Sequence, residues 1–532
     1  MMIGALLACL VVLTISAATG IITLPGFRGK GFPSGPPSLP FIGNLHILPR
    51  AGIRLKFLHW AKVYGPIFSL KVGHGTIVVL NSAYHATQLL QKRSLHYSDR
   101  PALFVLDQLV FGGDHTMLMN ADSRWRLRRK LYFQLMNASK CDSEYFPLIE
   151  GEIMQTLKDL SMEPAALMHH PGRLSNSIIM ALVFGIRTPK HDTPHYRALH
   201  KIMRDLVTLG DTGATPPVDL IPAFKYLPEC LWGYWKTRAG QLRKTMLGLY
   251  HPLVGRVLER RERHQEMRRA TFLDGVLDQQ EKLKFTRNEL DVMCGNLIEG
   301  GTDTISTVLL TFFQAMATHP HIQEHAQEHI DSVVGSERLP CWTDYSQLPY
   351  VAAIVKEVLR WRPPGPAGFP HASTKDDIID GIFIPKGSTV ILNIWGIHHD
   401  ATLYPHPEEF MPSRFQGQTP RRSTDANSRG YQNGDHFAYG AGRRLCPGIH
   451  LAERVLFLFV ARLLWTYTVA QKLDASGNPI PIDIEPSTAY SEGFIAACNP
   501  FEVDFKFRSP ERRMRVFAEV AKAEAEVFST YE

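Results

Sequence analysis

Hydrophobic and polar positions divide the chain into stretches of different character. Residues 1–24 contain no charged side chain. As a helix they would span about 36 Å, enough for a bilayer core. Arg28 and Lys30 follow directly, and the positive-inside rule then holds the remaining chain on the cytosolic side. A cleaved signal peptide is the competing reading, with Ser16-Ala17-Ala18 as its small-residue site. No basic residue precedes the apolar run, so one uncleaved transmembrane anchor over 1–24 is expected. Residues 25–40 form a basic and proline-rich hinge. Pro33, Pro36, Pro37 and Pro40 forbid helix there and favour stiff extended chain.

Helical patterning dominates from about residue 80 to 365. The longest predicted helix starts at Thr286, which forms a capping box with Glu289. Leu290, Met293, Leu297, Val308 and Phe312 carry its apolar pattern to a stop at His319-Pro320. Gly295, Gly300 and Gly301 interrupt it, each at a cost of roughly 1 kcal/mol. Such a placement points to a bend or to the close approach of a ligand. A shorter helix is predicted over 349–361, opening on Pro349 and ending before Pro363-Pro364. Strands are predicted over 381–384 and 389–393, set off by turns at Asp380-Gly381 and Pro385-Lys386-Gly387. Residues 508–532 are charge-rich and read as a solvated helix or a frayed tail. There is no internal repeat and no second linker, so one large catalytic domain over 41–507 is expected.

Composition narrows the function classes. The 532 residues are 45% hydrophobic and 20% charged, which excludes global disorder. Lys plus Arg total 58 against 51 Asp plus Glu, a net charge of +7. That excess is mild and forms no long basic stripe, so no nucleic-acid partner is expected. The seven cysteines are widely separated and contain no CxxC, against a disulfide framework or zinc knuckle and in favour of a reducing compartment.

The chemistry concentrates in Tyr439-Gly440-Ala441-Gly442-Arg443-Arg444-Leu445-Cys446-Pro447-Gly448, followed by an apolar helix. Glycines surround a single cysteine just before a helix N-terminus, where backbone N–H groups and the helix dipole favour a thiolate. A thiolate is an electron-rich axial ligand for haem iron. Arg444 stands two residues before the cysteine, within reach of a haem propionate.

This decapeptide resembles the cysteine-ligand loop of the cytochrome P-450 superfamily (F-G-x-G-R-R-x-C-P-G), departing only at Tyr439, where the family usually has Phe. Further segments agree in the family's order. Glu357-Val358-Leu359-Arg360 looks like E-x-x-R, and Arg414 matches the arginine that completes its network, although Ser413 replaces the usual Glu. Trp125-Arg126-Leu127-Arg128-Arg129 looks like the W-x-x-x-R helix. Gly300-Gly301-Thr302-Asp303-Thr304 resembles the oxygen-activating motif. The resemblance covers about residues 33 to 505. It implies a mainly α fold with small β-sheets, the cytochrome P-450 fold. It implies haem b held on Cys446, with Trp125, Arg129, His371 and Arg444 on the propionates and Asp303 and Thr304 delivering protons. It implies pocket walls at 104–118, 367–369 and 493–495, and their apolar and aromatic composition favours a hydrophobic or aromatic small-molecule substrate. Glu299 is one polar candidate beside that pocket, expected to point away from the haem.

The family's activity is monooxygenation with O2 and electrons from NADPH through NADPH-cytochrome P-450 reductase. With the anchor, the resemblance implies a single-pass protein of the endoplasmic reticulum membrane with a cytosolic catalytic domain. Asn137-Ala138-Ser139, a glycosylation sequon, would there stay unmodified. The phrases around Cys446 and Gly368-Phe369-Pro370-His371 look like fungal microsomal members, including those of secondary metabolism that act on aromatic polyketides and small phenols. The basic run Arg124, Arg126, Arg128, Arg129 and Lys130, with Arg443, is either a solvated helix face or a docking patch for an acidic electron donor.

Three alternatives compete. A reductase-independent haem isomerase or dehydratase is disfavoured by the Asp303-Thr304 pair. A zinc metallohydrolase is raised by His325-Ala326-Gln327-Glu328-His329, which matches H-x-x-E-H. A haem-binding subunit without catalysis is the third.

Overall fold

The structure, a computed structural model, describes residues 26–49, 51–210, 213–219, 221–263, 271–417 and 435–532. The expected anchor over 1–24 lies outside them. Among the described residues no helix is long and apolar enough to cross a membrane.

In chain order the longer elements are α1 (Ile53–Tyr64), β1 (Ile67–Val72), β2 (Gly75–Leu80), α2 (Ser123–Met136), α3 (Phe146–Met162), α4 (His170–Phe184), α5 (Pro194–Gly210), α6 (Trp235–Arg263), α7 (Arg287–Thr318), α8 (Pro320–Val334) and α9 (Pro349–Trp361). Then come β3 (His371–Ala372), β4 (Asp377–Ile379), β5 (Ile382–Ile384), β6 (Thr389–Leu392), α10 (Ile449–Thr466), β7 (Tyr467–Gln471), β8 (Val503–Phe507) and α11 (Pro510–Glu526). The architecture is mainly helical with small sheets. One four-stranded sheet has the order β1-β2-β6-β3, and two hairpin-like pairs are β4-β5 and β7-β8. In the larger sheet β2 and β6 run parallel, which requires the whole helical body between them.

α7 is the axis of the helical body. The Thr286–Glu289 capping box forms as expected, and the helix runs 32 residues without a break. α4 lies along it, with α6 and α9 beside it. The helix continues through its mid-helix glycines. A Cβ on Gly295 would lie 2.3 Å from the Tyr250 ring of α6, and one on Gly301 would lie 2.8 Å from Ile179 of α4. Those two glycines let neighbouring helices approach closely. At Gly300 a Cβ would meet nothing within 4 Å, so open space lies there instead.

α9 occupies the predicted span, and the two predicted strands form as β5 and β6. β5 starts one residue late because Asp380 and Gly381, at φ 50° and 78°, are spent on the turn. Residues 508–532 are not frayed. Ser509 caps α11 by accepting from the Arg512 N–H. Val516, Val520, Ala523 and Phe528 are buried, and α11 packs against α3. Most of its charge is on its outer face, with Arg512 turned inward to Asp331, and the apolar spacing that docks it is hidden among those charges.

Candidate active site

Cys446 sits in a loop that only glycines can close. The Cys446 N–H donates to the Tyr439 carbonyl at 2.9 Å, pulling the two ends of the turn together. Gly440 and Gly442 have φ of 79° and 62°. A Cβ on Gly442 would lie 1.8 Å from the Leu90 carbonyl oxygen, so the loop is wedged against the turn at 87–92. Burial pushes the Cys446 thiol up, while the Gly448 N–H and the Arg129 guanidinium pull it down. The Tyr439 hydroxyl, the one departure from the motif, is buried with no hydrogen-bond partner among the described residues.

A cationic cluster stands beside this loop. Arg129, on α2, donates to the Leu445 carbonyl at 2.6 Å. Arg444 donates to the carbonyls of Ser98, at 2.7 Å, and Met119. Its guanidinium lies 4.3 Å from the Trp125 ring centroid. His371 is brought in by β3, where Ala372 pairs with Asp99. Its Nδ1–H donates to the Tyr97 carbonyl at 2.7 Å. Burial, then Arg100 and Arg444, lower its pKa to about 3. With Nδ1 committed, His371 donates to an anion only as the imidazolium, a form that a nearby carboxylate favours.

The same pairing places Arg100, which sequence reasoning missed. Its guanidinium donates to the carbonyls of Met117, Phe369 and Pro370 at 2.8, 3.1 and 2.7 Å. Burial holds its pKa well below the usual arginine range, and Arg444 and Arg129 lower it further. Arg444 is likewise lowered to about 9, first by burial and then by Arg129. Three guanidiniums are thus crowded and partly desolvated around one spot. Such a set is stabilised by anions placed among it, and the two propionates of a haem on Cys446 are anions of that kind. The residues present therefore fit the group. The only sequence signal for Arg100 is its place in Ser98-Asp99-Arg100-Pro101, which nothing in the local pattern singles out.

The E-x-x-R residues form the expected buried network. Arg360 donates to both Glu357 oxygens at 2.7 and 2.8 Å, and Arg414 donates to the same carboxylate at 3.1 Å. Both Glu357 and Arg360 are fully buried, and the remaining Arg360 donors reach the carbonyls of His398, Pro407 and Glu409. The basic run on α2 separates into two roles. Arg128 is fully buried and bonds Asp114 and Glu289, so with Arg124 it ties α2 to the start of α7. Arg126 and Lys130 remain exposed.

On α7 the residues expected to carry protons lie beside the open space at Gly300. The Thr304 hydroxyl donates to the Gly300 carbonyl at 2.8 Å. Burial, and then the charge of Glu299 one turn earlier, raise Asp303 to about 6. Glu299 turns away to His115 and Tyr250. Two expected walls meet, since Phe369 and Phe494 pack edge to face with centroids 4.5 Å apart.

The metalloprotease-like spacing leads nowhere. His325 packs edge-on against Tyr350 at 4.4 Å, and among the described residues no three His, Cys, Asp or Glu side chains gather to hold a metal.

Fold and site together define a haem-thiolate protein. A family model of cytochrome P450 matches residues 33–489. Cytochrome P450 monooxygenase anuE of Penicillium roqueforti (strain FM164) is 57% identical over 490 residues, covering 92% of this chain and 99% of that one. Cytochrome P450 monooxygenase macC of Penicillium terrestre is 44% identical over 94% of each chain. Cytochrome P450 monooxygenase patI of Aspergillus clavatus is 41% identical, covering 95% of this chain and 94% of that one. The chain belongs to the cytochrome P450 family and is a monooxygenase.

Proposed function

We propose that the protein oxidises a hydrophobic or aromatic small molecule in fungal secondary-metabolite biosynthesis, using O2 and electrons from NADPH. The observation that carries this reading is the convergence of Arg100, Arg129, Arg444 and His371 beside the Cys446 loop. Bound on the Cys446 thiolate, haem b supplies dioxygen binding and the oxidising power to place one oxygen atom on a C–H or aromatic position.

The chain's own residues supply the rest. The Gly448 N–H and Arg129 stabilise the thiolate. Trp125, Arg129, Arg444, His371 and Arg100 hold the propionates. Asp303 accepts a proton from the solvent side and passes it to the Thr304 hydroxyl, which at rest donates to the Gly300 carbonyl. With a pKa of about 6, its carboxyl is protonated in about a tenth of molecules at pH 7, which suits a group that must both hold and release a proton.

The anchor over 1–24, the hinge and the excess of basic residues support placement on the endoplasmic reticulum membrane, with NADPH-cytochrome P-450 reductase as electron donor. Exposed Arg126 and Lys130, with Arg443, are the residues of the basic run left to meet its acidic face. The fungal origin of the relatives and the motif phrasing around Cys446 and His371 support the secondary-metabolic setting.

The test is a carbon monoxide difference spectrum of the dithionite-reduced full chain, with Cys446→Ser alongside. A far-red-shifted Soret band that disappears in the variant is the expected result. A haem spectrum lacking that shift in the native sequence removes the thiolate and with it the monooxygenase chemistry.

A further inference from the structure

α4 grips α7 at a single residue, Thr302, which stands directly before the proton-carrying pair. The Ser175 hydroxyl donates to the Thr302 carbonyl at 2.7 Å. The Asn176 amide donates to the Thr302 hydroxyl at 3.1 Å, and that hydroxyl donates to the Ile298 carbonyl at 2.6 Å. Ser175, Asn176 and Thr302 are all buried. One residue earlier, a Cβ on Gly301 would lie 2.8 Å from Ile179, so the two helices touch there without room for a side chain.

Asn176 is itself held from its far side. Its Oδ1 accepts from the Thr188 hydroxyl at 2.6 Å. Thr188 has one hydroxyl proton and directs it there, so His195, whose Nε2 lies 2.7 Å from the same oxygen, is the donor to it. A directed chain of hydrogen bonds thus runs from His195 at the start of α5 through Thr188 and Asn176 to Thr302.

Position on the helix gives this grip its consequence. Successive residues turn by about 100° around an α-helix. Gly301 and Thr302 both meet α4, whereas Gly300 and Thr304 fall about 200° from Thr302, on the opposite side. There a Cβ on Gly300 meets nothing within 4 Å, and the Thr304 hydroxyl donates to the Gly300 carbonyl. Asp303 lies on the flank between the two sides. Hydrogen bonds weaken steeply once bent, so two of them on one buried residue select a single rotation of the helix. Ser175 takes the backbone of Thr302 and Asn176 its side chain, so the two bonds constrain different atoms.

We propose that Ser175 and Asn176 are positioning residues for the reaction: they lock Thr302 against α4 and so set the rotation of α7 at which Asp303 and Thr304 are presented. The proposal rests on the reading of that pair as the proton carriers of a monooxygenase.

The experiment uses the full-chain holoprotein and reads the Asp303 carboxyl by infrared titration, its band assigned by its loss in Asp303→Asn. Burial is the first cause that raises this group to about 6, so a turn of α7 that brings it towards water lowers the midpoint. Thr302→Val keeps the side-chain shape and removes the hydroxyl that Asn176 bonds. Thr302→Val, Asn176→Leu and Ser175→Ala are each expected to lower the midpoint by about one unit. Thr302→Ser, which keeps the hydroxyl, is expected to leave it in place. Asn176→Leu should add nothing in the Thr302→Val background, because the two remove the same bond. Val520→Ala, a core truncation in α11, is the control for lost stability: it lowers Tm and leaves the midpoint where it was. Unmoved midpoints in Thr302→Val and Ser175→Ala overturn the proposal, as does an equal shift in Thr302→Ser or Val520→Ala. If Asn176→Leu does not fold, the Val and Ser variants at 302 decide. The carbon monoxide band is recorded first for every protein. Its absence from the native sequence strikes the monooxygenase reading, and the proposal falls with it. A retained band with a lowered midpoint places the effect on α7 and not on the Cys446 loop, as expected.

Discussion

Gly442→Ala puts a methyl group where the cysteine loop touches the turn at 87–92. Two costs are separable. At φ 62° any L-residue is strained, by about 1–2 kcal/mol. The new Cβ also lies 1.8 Å from the Leu90 oxygen and 2.8 Å from its carbonyl carbon, backbone atoms that cannot swing aside as a side chain would. Forced overpacking of this kind costs about 1–3 kcal/mol. Gly440→Ala is the control. It carries the same strain at φ 79°, but among the described residues its Cβ meets nothing nearer than the Arg444 oxygen at 3.9 Å. The expected penalties are therefore about 2–5 kcal/mol against about 1–2. Unfolding entropy of about 2.1 cal/mol/K per residue over 532 residues makes each kcal/mol worth only about 1 °C in Tm. The decisive assay is accordingly the fraction of bound haem giving the far-red carbon monoxide band. The loop of Gly442→Ala must shift to relieve the contact, four residues from Cys446, so most of that band should be lost. Gly440→Ala should keep most of it. Equal bands in the two variants would refute the argument that contact with Leu90, rather than backbone strain, shapes the loop.

The other outcomes follow from the same geometry. Asp303→Asn should abolish most turnover while raising Tm above pH 6. Its carboxyl is raised from the usual range to about 6, so the folded state holds that proton more tightly than the unfolded chain. The native sequence thus loses stability as pH rises through about 6, and the Tm difference between the two proteins should vanish towards pH 4. Gly295→Ala forces a methyl group into the Tyr250 ring, 2.3 Å away, and should cost about 1–3 kcal/mol in denaturant unfolding. Gly300→Ala meets nothing and should gain up to about 1 kcal/mol of helix propensity, while weakening spin-state shifts by large ligands. Arg128→Leu leaves Asp114 and Glu289 without their buried partner and should cost about 3–5 kcal/mol. The exposed Arg126→Ala should leave Tm unchanged.

Much of the site was legible because its chemistry is local. The Cys446 loop needs glycines at fixed offsets, the Thr286–Glu289 capping box needs residues three apart, and the Glu357–Arg360 pair needs one helical turn. Spacing alone states each of them. The docked C-terminal helix was harder to see, because its few buried residues are set among charges and only the matching groove on α3 makes them a core. The meaning of the α7 glycines was invisible as well. Sequence marks all three as costly, but Tyr250, Ile179 and empty space decide what each one does.

The sequence by itself determined the glycine-bounded Cys446 loop, the long central helix and the order of the motifs, since these depend on residues within a turn or a loop of each other. Only the tertiary structure decided which charges are neighbours. Arg100 joins Arg129, Arg444 and His371 because a bridge from Asp99 to β3 crosses more than 270 positions of chain. His115, Tyr250 and Glu299 meet from three separate elements. Burial and charge act through space, and nothing in the spacing of residues along the chain measures that distance.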